Sequence, residues 1–174
     1  MTRRPFALWI TGLPASGKST ITAAVVEILN KRDLFPVVLE SDRMRKILTP
    51  EPTYGNEERD RFYHQLTAIG EMIFRSGVPV IFDATANKRI YRDRARVALG
   101  RFAEVYVNSP LDICRARDPK GIYAAAKTGE AAAVPGVQAT YEPPDKPELV
   151  VDGTRLPELN AEQVLGLLET LRYV

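Results

Sequence analysis

The segment Gly12-Leu13-Pro14-Ala15-Ser16-Gly17-Lys18-Ser19 constrains this chain more than any other. It spells G-x-x-x-x-G-K-S directly after an apolar run, Phe6-Ala7-Leu8-Trp9-Ile10-Thr11. Behind it, residues 19–31 carry Ile21, Ala24, Val25, Ile28 and Leu29 at helical spacing. An apolar run without alternation reads as a strand buried on both faces of a parallel sheet. A strand, a glycine-containing turn and a helix N-terminus in that order converge main-chain N–H groups on one point, the arrangement that holds phosphate oxygens. Gly12 and Gly17 permit the turn, Leu13 to Ser16 supply its main chain, and Thr20 follows on the helix. In this pattern Lys18 bridges the β and γ phosphates and the Ser19 hydroxyl ligates Mg²⁺, so the expected ligand is ATP or GTP with its metal. No G-x-G-x-x-G occurs, so a dinucleotide oxidoreductase has no support.

The remaining chain repeats the alternation. Strands are expected at 37–39, 78–83, 103–107 and 149–151, and helices at 42–48, 57–75, 91–99, 111–117 and 161–171. That order predicts an α/β fold, a phosphate-loop three-layer α/β/α sandwich around a five-stranded parallel sheet. The 174 residues suit one domain spanning 1–174. Periodicity fails between about 118 and 146, a stretch rich in Ala, Gly and Pro and long for a connection in a compact domain, so it is expected to be a lid loop.

Composition narrows the partners. With Lys+Arg 24 against Asp+Glu 22 the net charge is +2, which gives no bulk field for a polyanion, so small ligands are expected rather than nucleic acid. A lone cysteine, Cys114, forms no internal disulfide, and neither a leader-like segment nor a membrane-spanning apolar run is present. A cytoplasmic protein without a membrane partner is the expectation. Cys114 and His64 have no partners at metal-ligand or nucleophile spacing, so no chemistry is assigned to them.

Ligands of open α/β sheets sit beyond the carboxyl ends of the strands, which singles out Asp42 and Asp83. Phosphoryl transfer to an alcohol needs a carboxylate to take the hydroxyl proton and oxygen groups to hold the metal. Asp42 suits the first task, although Ser41-Asp42 could equally cap the helix that follows. Asp83, closing the strand Val80-Ile81-Phe82, suits the metal side, with loop capping as its alternative. Arg89, Arg92 and Arg96 share one helical face and read as a solvated charged surface, with Arg89 near enough to the strand end to meet an anionic substrate.

The run Arg117-Asp118-Pro119-Lys120-Gly121-Ile122-Tyr123, followed by Gly129-Glu130, Gly136, Tyr141-Glu142 and Pro147-Glu148-Leu149, resembles the lid and adjoining strand of the adenylylsulfate kinases. Gly12 through Thr20, Asp42 with Arg45, Ile69-Gly70-Glu71 and Ala103-Glu104-Val105-Tyr106-Val107 extend the likeness over nearly the whole chain. The resemblance implies a dimeric kinase that moves the γ-phosphoryl of ATP to the ribose 3′-hydroxyl of adenylylsulfate. It implies Asp42 as the acceptor-side base, Arg45 on the sulfonucleotide, Lys120 and Tyr123 in the lid over the reaction, and Arg117 beside the ATP adenine.

Departures cluster on the acceptor side. Glu40-Ser41-Asp42 stands for the family's Asp-Gly-Asp, Ala86 for a Ser, and Val134 for a lid Phe that would stack on the acceptor adenine. The family's Asp-Arg-x-x-Asn-Ile-Arg-Arg is not reproduced by Asp60-Arg61-Phe62-Tyr63-His64-Gln65-Leu66-Thr67. Asp83-Ala84-Thr85 with Arg89 also resembles polynucleotide-kinase-like and toxin-like phosphate-loop kinases. A kinase of another nucleotide- or sugar-linked alcohol or of a polynucleotide 5′-hydroxyl, and a non-catalytic nucleotide switch, are therefore the alternatives.

Overall fold

In the computed structural model, which describes residues 4–131 and 133–174, a parallel sheet carries helices on both faces. The chain runs β1 (Ala7–Thr11), α1 (Lys18–Asn30), β2 (Val37–Glu40), α2 (Ser41–Leu48), α3 (Asn56–Arg75), β3 (Val80–Asp83) and α4 (Arg89–Leu99). It continues through β4 (Phe102–Asn108), α5 (Leu111–Arg117), α6 (Ile122–Thr128), β5 (Leu149–Asp152) and α7 (Pro157–Thr170). The strand order is β2-β3-β1-β4-β5, which places the strand leading into the glycine turn at the centre.

The unbroken apolar run of β1 has a direct cause. Phe6, Leu8 and Ile10 face one core, built with Ile21, Val25 and Leu29 of α1 and Val164 and Leu168 of α7. Ala7 and Trp9 face the other, with Phe62 and Leu66 of α3 and Tyr91 and Ala95 of α4. Every residue of β1 is consequently buried. Trp9 stacks on Phe82 of β3 at 4.6 Å between ring centroids, and its indole N–H donates to the Ala84 carbonyl at 3.0 Å. This pins the chain just after β3, where Asp83 must be aimed.

Two expectations need correction. The stretch expected to be irregular contains the helix α6, held between Gly121 and Gly129, both in the left-handed region. Ala132 of that stretch lies outside the described residues. The face of Arg89, Arg92 and Arg96 is solvated only in part, since Arg92 is buried and all three are ion-paired. Arg92 is only 1% exposed and its Nε lies 2.6 Å from Glu104 Oε1 on β4, while Arg96 pairs with Glu148 at 2.5 Å. The acidic partners lie 8 or more positions away in sequence, so helical spacing on α4 could not show them.

Candidate active site

The carboxyl ends of β1, β2 and β3 open into a cavity of about 520 Å³, whose wall includes the glycine turn, Asp42, Asp83, Arg117 and Lys120. The turn wraps so closely that a Cβ on Gly12 would stand 2.6 Å from the Val107 carbonyl oxygen and 2.8 Å from Ser16 Oγ. Only glycine fits there. Gly17, in the left-handed conformation, opens α1 without a side-chain cap, which leaves the first N–H groups of the helix free to serve a ligand. The Ser16 hydroxyl is buried with no hydrogen-bond partner among the described residues. An unpaired buried hydroxyl beside uncapped amides suits an anionic oxygen.

Lys18 is folded back over the turn, its Nζ donating to the Leu13 carbonyl at 2.8 Å. Burial holds its pKa below the usual lysine range, against the opposing pull of Asp83 and Asp42. An ammonium so desolvated gains from an incoming phosphate. Burial raises the pKa of the Asp83 carboxyl, against the opposing pull of the Lys18 ammonium and the neighbouring Ser19 hydroxyl. These two oxygen groups share the cavity wall with Thr20.

Asp42 does not cap α2. The N-cap is Glu40, without a side-chain bond, and Asp42 sits inside the first turn with its carboxylate free to face the cavity. There Lys120 Nζ donates to Asp42 Oδ2 at 2.5 Å and lies 3.8 Å from Glu40 Oε1. The pairing pushes the Lys120 pKa up. Both side chains are about half exposed, so the contact is a movable latch rather than a buried bond. Arg117 Nη1 reaches across to the Gly153 carbonyl at 2.8 Å.

Three expected substrate residues lie outside this wall. Arg45 is buried, ion-paired with Glu58, and stacked 4.1 Å from the Phe62 ring centroid and 5.1 Å from that of Tyr54. Tyr123 is buried beneath the loop and donates its hydroxyl to the Pro14 carbonyl at 2.9 Å. Arg89 points to the far side of the lid root, where it pairs with Asp145 and Glu142.

Sequence reasoning also passed over three site residues. Glu40 stands opposite Asp83 in the β2–β3 register, a position any acid ending β2 must take. Gly153 closes the back of the loop, where a Cβ would lie 2.1 Å from Ser109 Oγ and 2.3 Å from the Ser16 carbonyl. Its place just after β5 was the available signal. Tyr141 OH stands 3.0 Å from Thr11 Oγ1, which donates to the Thr85 carbonyl at 2.7 Å and so ties the lid root to both strand ends. No local pattern marks that contact.

The model of the family described as adenylylsulphate kinase matches residues 4–152. An adenylyl-sulfate kinase of Gloeothece citriformis is 37% identical over 176 residues, covering 100% of this chain and 99% of that protein. That of Klebsiella pneumoniae is 36% identical over 168 residues, covering 95% and 84%. The chain belongs to the adenylylsulphate kinase family. A solved family structure, the Mycobacterium tuberculosis APS kinase CysC in complex with AMPPNP and APS, superposes with a TM-score of 0.90 at 30% identity, covering 95% of this chain and 98% of that one. Among adenylylsulphate kinases the departures of this chain are now placed. Val134 is buried in a small cluster with Cys114 and Tyr123. Ala86, in the left-handed region, donates its N–H to the Tyr63 hydroxyl at 2.9 Å, and its carbonyl accepts from Arg92. Both positions serve the scaffold.

Proposed function

We propose that this protein, acting as one kinase domain, transfers the γ-phosphoryl group of ATP to the 3′-hydroxyl of adenylylsulfate, giving 3′-phosphoadenylylsulfate and ADP. The observation that carries the reading is one cavity in which the glycine turn, Lys18 and Asp83 face Asp42 and Lys120. Donor and acceptor machinery are thus brought to a common point by β1, β2, β3 and the lid.

The residues divide the work as follows. The amides of the turn and α1 bind the phosphate oxygens, and Lys18 leaves the Leu13 carbonyl to follow the β and γ phosphates. Arg117 flanks the nucleotide end of the cleft. Asp42 accepts the proton of the acceptor hydroxyl as its oxygen attacks, and Lys120 released from Asp42 neutralises the transferred group. Ser19 and Asp83 offer hard oxygen donors that fit Mg²⁺, and the metal when bound neutralises phosphate charge. Arg45 shapes the α2–α3 wall through Tyr54 and Phe62, and Tyr123 supports the turn from below. A homodimer in the cytoplasm completes the proposal.

Incubation with Mg-ATP and adenylylsulfate is expected to release ADP and form the 3′-phosphorylated product in equal amounts. ADP release that does not depend on adenylylsulfate, or release only with a sugar or polynucleotide hydroxyl, would replace this acceptor by another.

A further inference from the structure

Strands β1 and β3 run in register as far as Ile10 and Asp83. Beyond that pair the two chains part: one becomes the glycine turn at Gly12, and the other carries Thr85 along the cavity wall beside Asp83. Two bonds still cross between them. The Ala84 N–H donates to the Ile10 carbonyl at 3.3 Å, and Thr11 Oγ1 donates to the Thr85 carbonyl at 2.7 Å, one residue short of Gly12.

Tyr141 OH stands 3.0 Å from the same Thr11 Oγ1. A carbonyl can only accept, so the Thr11 proton is committed to Thr85 and the Tyr141 hydroxyl must be the donor to Thr11. The result is one directed chain, from the Tyr141 O–H to the Thr11 O–H to the Thr85 C=O, in which each bond polarises the next. Burial pushes the Tyr141 phenol pKa up, so the donor proton is kept throughout the neutral range. Thr11 is fully buried, and water cannot take the place of a lost partner there.

Tyr141 is itself held from several sides. Its ring stacks on that of Tyr106 with centroids 6.2 Å apart, and the Arg92 guanidinium carbon lies 5.8 Å from its centroid. The Thr140 carbonyl before it accepts from Asn87 Nδ2 at 3.0 Å, and the Glu142 N–H after it donates to the Asn87 carbonyl at 2.7 Å. Other lid contacts go elsewhere: the Tyr123 hydroxyl ends on Pro14, and the Ala133 carbonyl accepts from Arg59 of α3. The phenol is therefore a fixed reference against which both strand exits are set.

We infer that Tyr141 is a positioning residue for phosphoryl transfer: through the Thr11 hydroxyl it fixes the strand end that carries Gly12 against the strand end that carries Asp83. That role rests on the proposed kinase reading and adds to it two residues, Tyr141 and Thr11, that stand outside the cavity wall. Groups that must be aligned only in the transition state show a small displacement in turnover rather than in binding.

The test uses Tyr141→Phe, which keeps the ring and loses the hydroxyl, alone and combined with Thr11→Ser, which keeps the hydroxyl chain, or Thr11→Val, which removes it. Tyr141→Phe is expected to lower kcat about tenfold, the upper end for one hydrogen bond, with the KM for ATP and for adenylylsulfate changed by less than about threefold. The same change is expected to cost about tenfold again in the Thr11→Ser background and almost nothing in the Thr11→Val background, because the phenol acts through that hydroxyl. In amide hydrogen exchange with Mg-ADP present, Ala84 and Glu142 are expected to exchange about tenfold faster in Tyr141→Phe while Leu8 and Ile81 keep their protection. Unchanged kcat, equal losses in the two Thr11 backgrounds, or faster exchange throughout the sheet would overturn the assignment. If Thr11→Val fails to fold, kcat and exchange in Tyr141→Phe alone and with Thr11→Ser are read by the same criteria. Should the wild-type protein fail to phosphorylate adenylylsulfate, the acceptor reading falls; faster exchange at Ala84 in Tyr141→Phe then upholds the alignment of the strand ends, and unchanged exchange overturns it.

Discussion

Replacing Glu104 by Ala removes a charge from the least forgiving place in the molecule. Its carboxylate is 6% exposed and sits 2.6 Å from the Nε of Arg92, itself 1% exposed. The other partners of Arg92 are neutral: the Ala86 and Glu142 carbonyls, and the Tyr141 ring, whose centroid lies 5.8 Å from the guanidinium carbon. Arg96 Nη2 stands 3.4 Å away and is already paired with Glu148. Without Glu104, the guanidinium of Arg92 stays dehydrated with no counter-charge. Breaking a buried pair from one side costs about 3–5 kcal/mol. Against a total stability of about 5–15 kcal/mol, that is a large fraction, and at 2–4 °C per kcal/mol it lowers Tm by roughly 6–20 °C. Glu148→Ala is the control, because its pair with Arg96 is 24% and 34% exposed and water can replace the partner. Its expected cost is about 1 kcal/mol. Urea unfolding of the three proteins, with the slope checked for constancy, gives both numbers. A Glu104→Ala cost equal to that of Glu148→Ala would show that Arg92 is not isolated by burial, and the account of this network would fail.

Other outcomes are expected at the site and beside it. Asp42→Asn is expected to lower turnover by about 10² to 10⁴, the span of a general base, while ADP binding by calorimetry stays near wild type; wild-type turnover would leave Asp42 without a role in proton transfer. Lys18→Ala is expected to cut turnover by at least about 10², since the group that follows the γ-phosphate is gone, with single-turnover rates as the measurement. Cys114 is buried, and burial pushes its thiol pKa up, so the thiolate is suppressed over the whole range from neutral pH to the ordinary cysteine value. Native protein is therefore expected to resist a thiol-reactive dye between pH 7 and 9 and to react with one equivalent on unfolding; a native rate that climbs with pH as a free thiol does would contradict the burial.

How much of this was legible in the sequence follows from how local each cause is. The phosphate loop and the strand-helix order could be read because each depends on neighbours in the chain: Gly12 on the turn it makes, β1 on its own run of buried side chains. Asp42 and Asp83 were placed by the same logic, since both follow strand ends that the sheet aligns. Helix α6 was missed because its apolar residues are Ile122, Tyr123 and small alanines, too short a stripe to set a period. The burial of Arg92 and of Arg45 has a different cause. Each is an arginine on a helix rich in charged residues, and each is buried by partners from elsewhere: Glu104 on β4, and Glu58, Tyr54 and Phe62 around α3. Charge patterning along a helix reports the neighbours at i+3 and i+4, not those brought in by the sheet. The same limit hid Arg59 and Tyr141. Their contacts join segments 74 and 130 residues apart, and both end on the lid. In this protein the donor half is encoded by a contiguous motif, while the acceptor half is assembled from long-range ties.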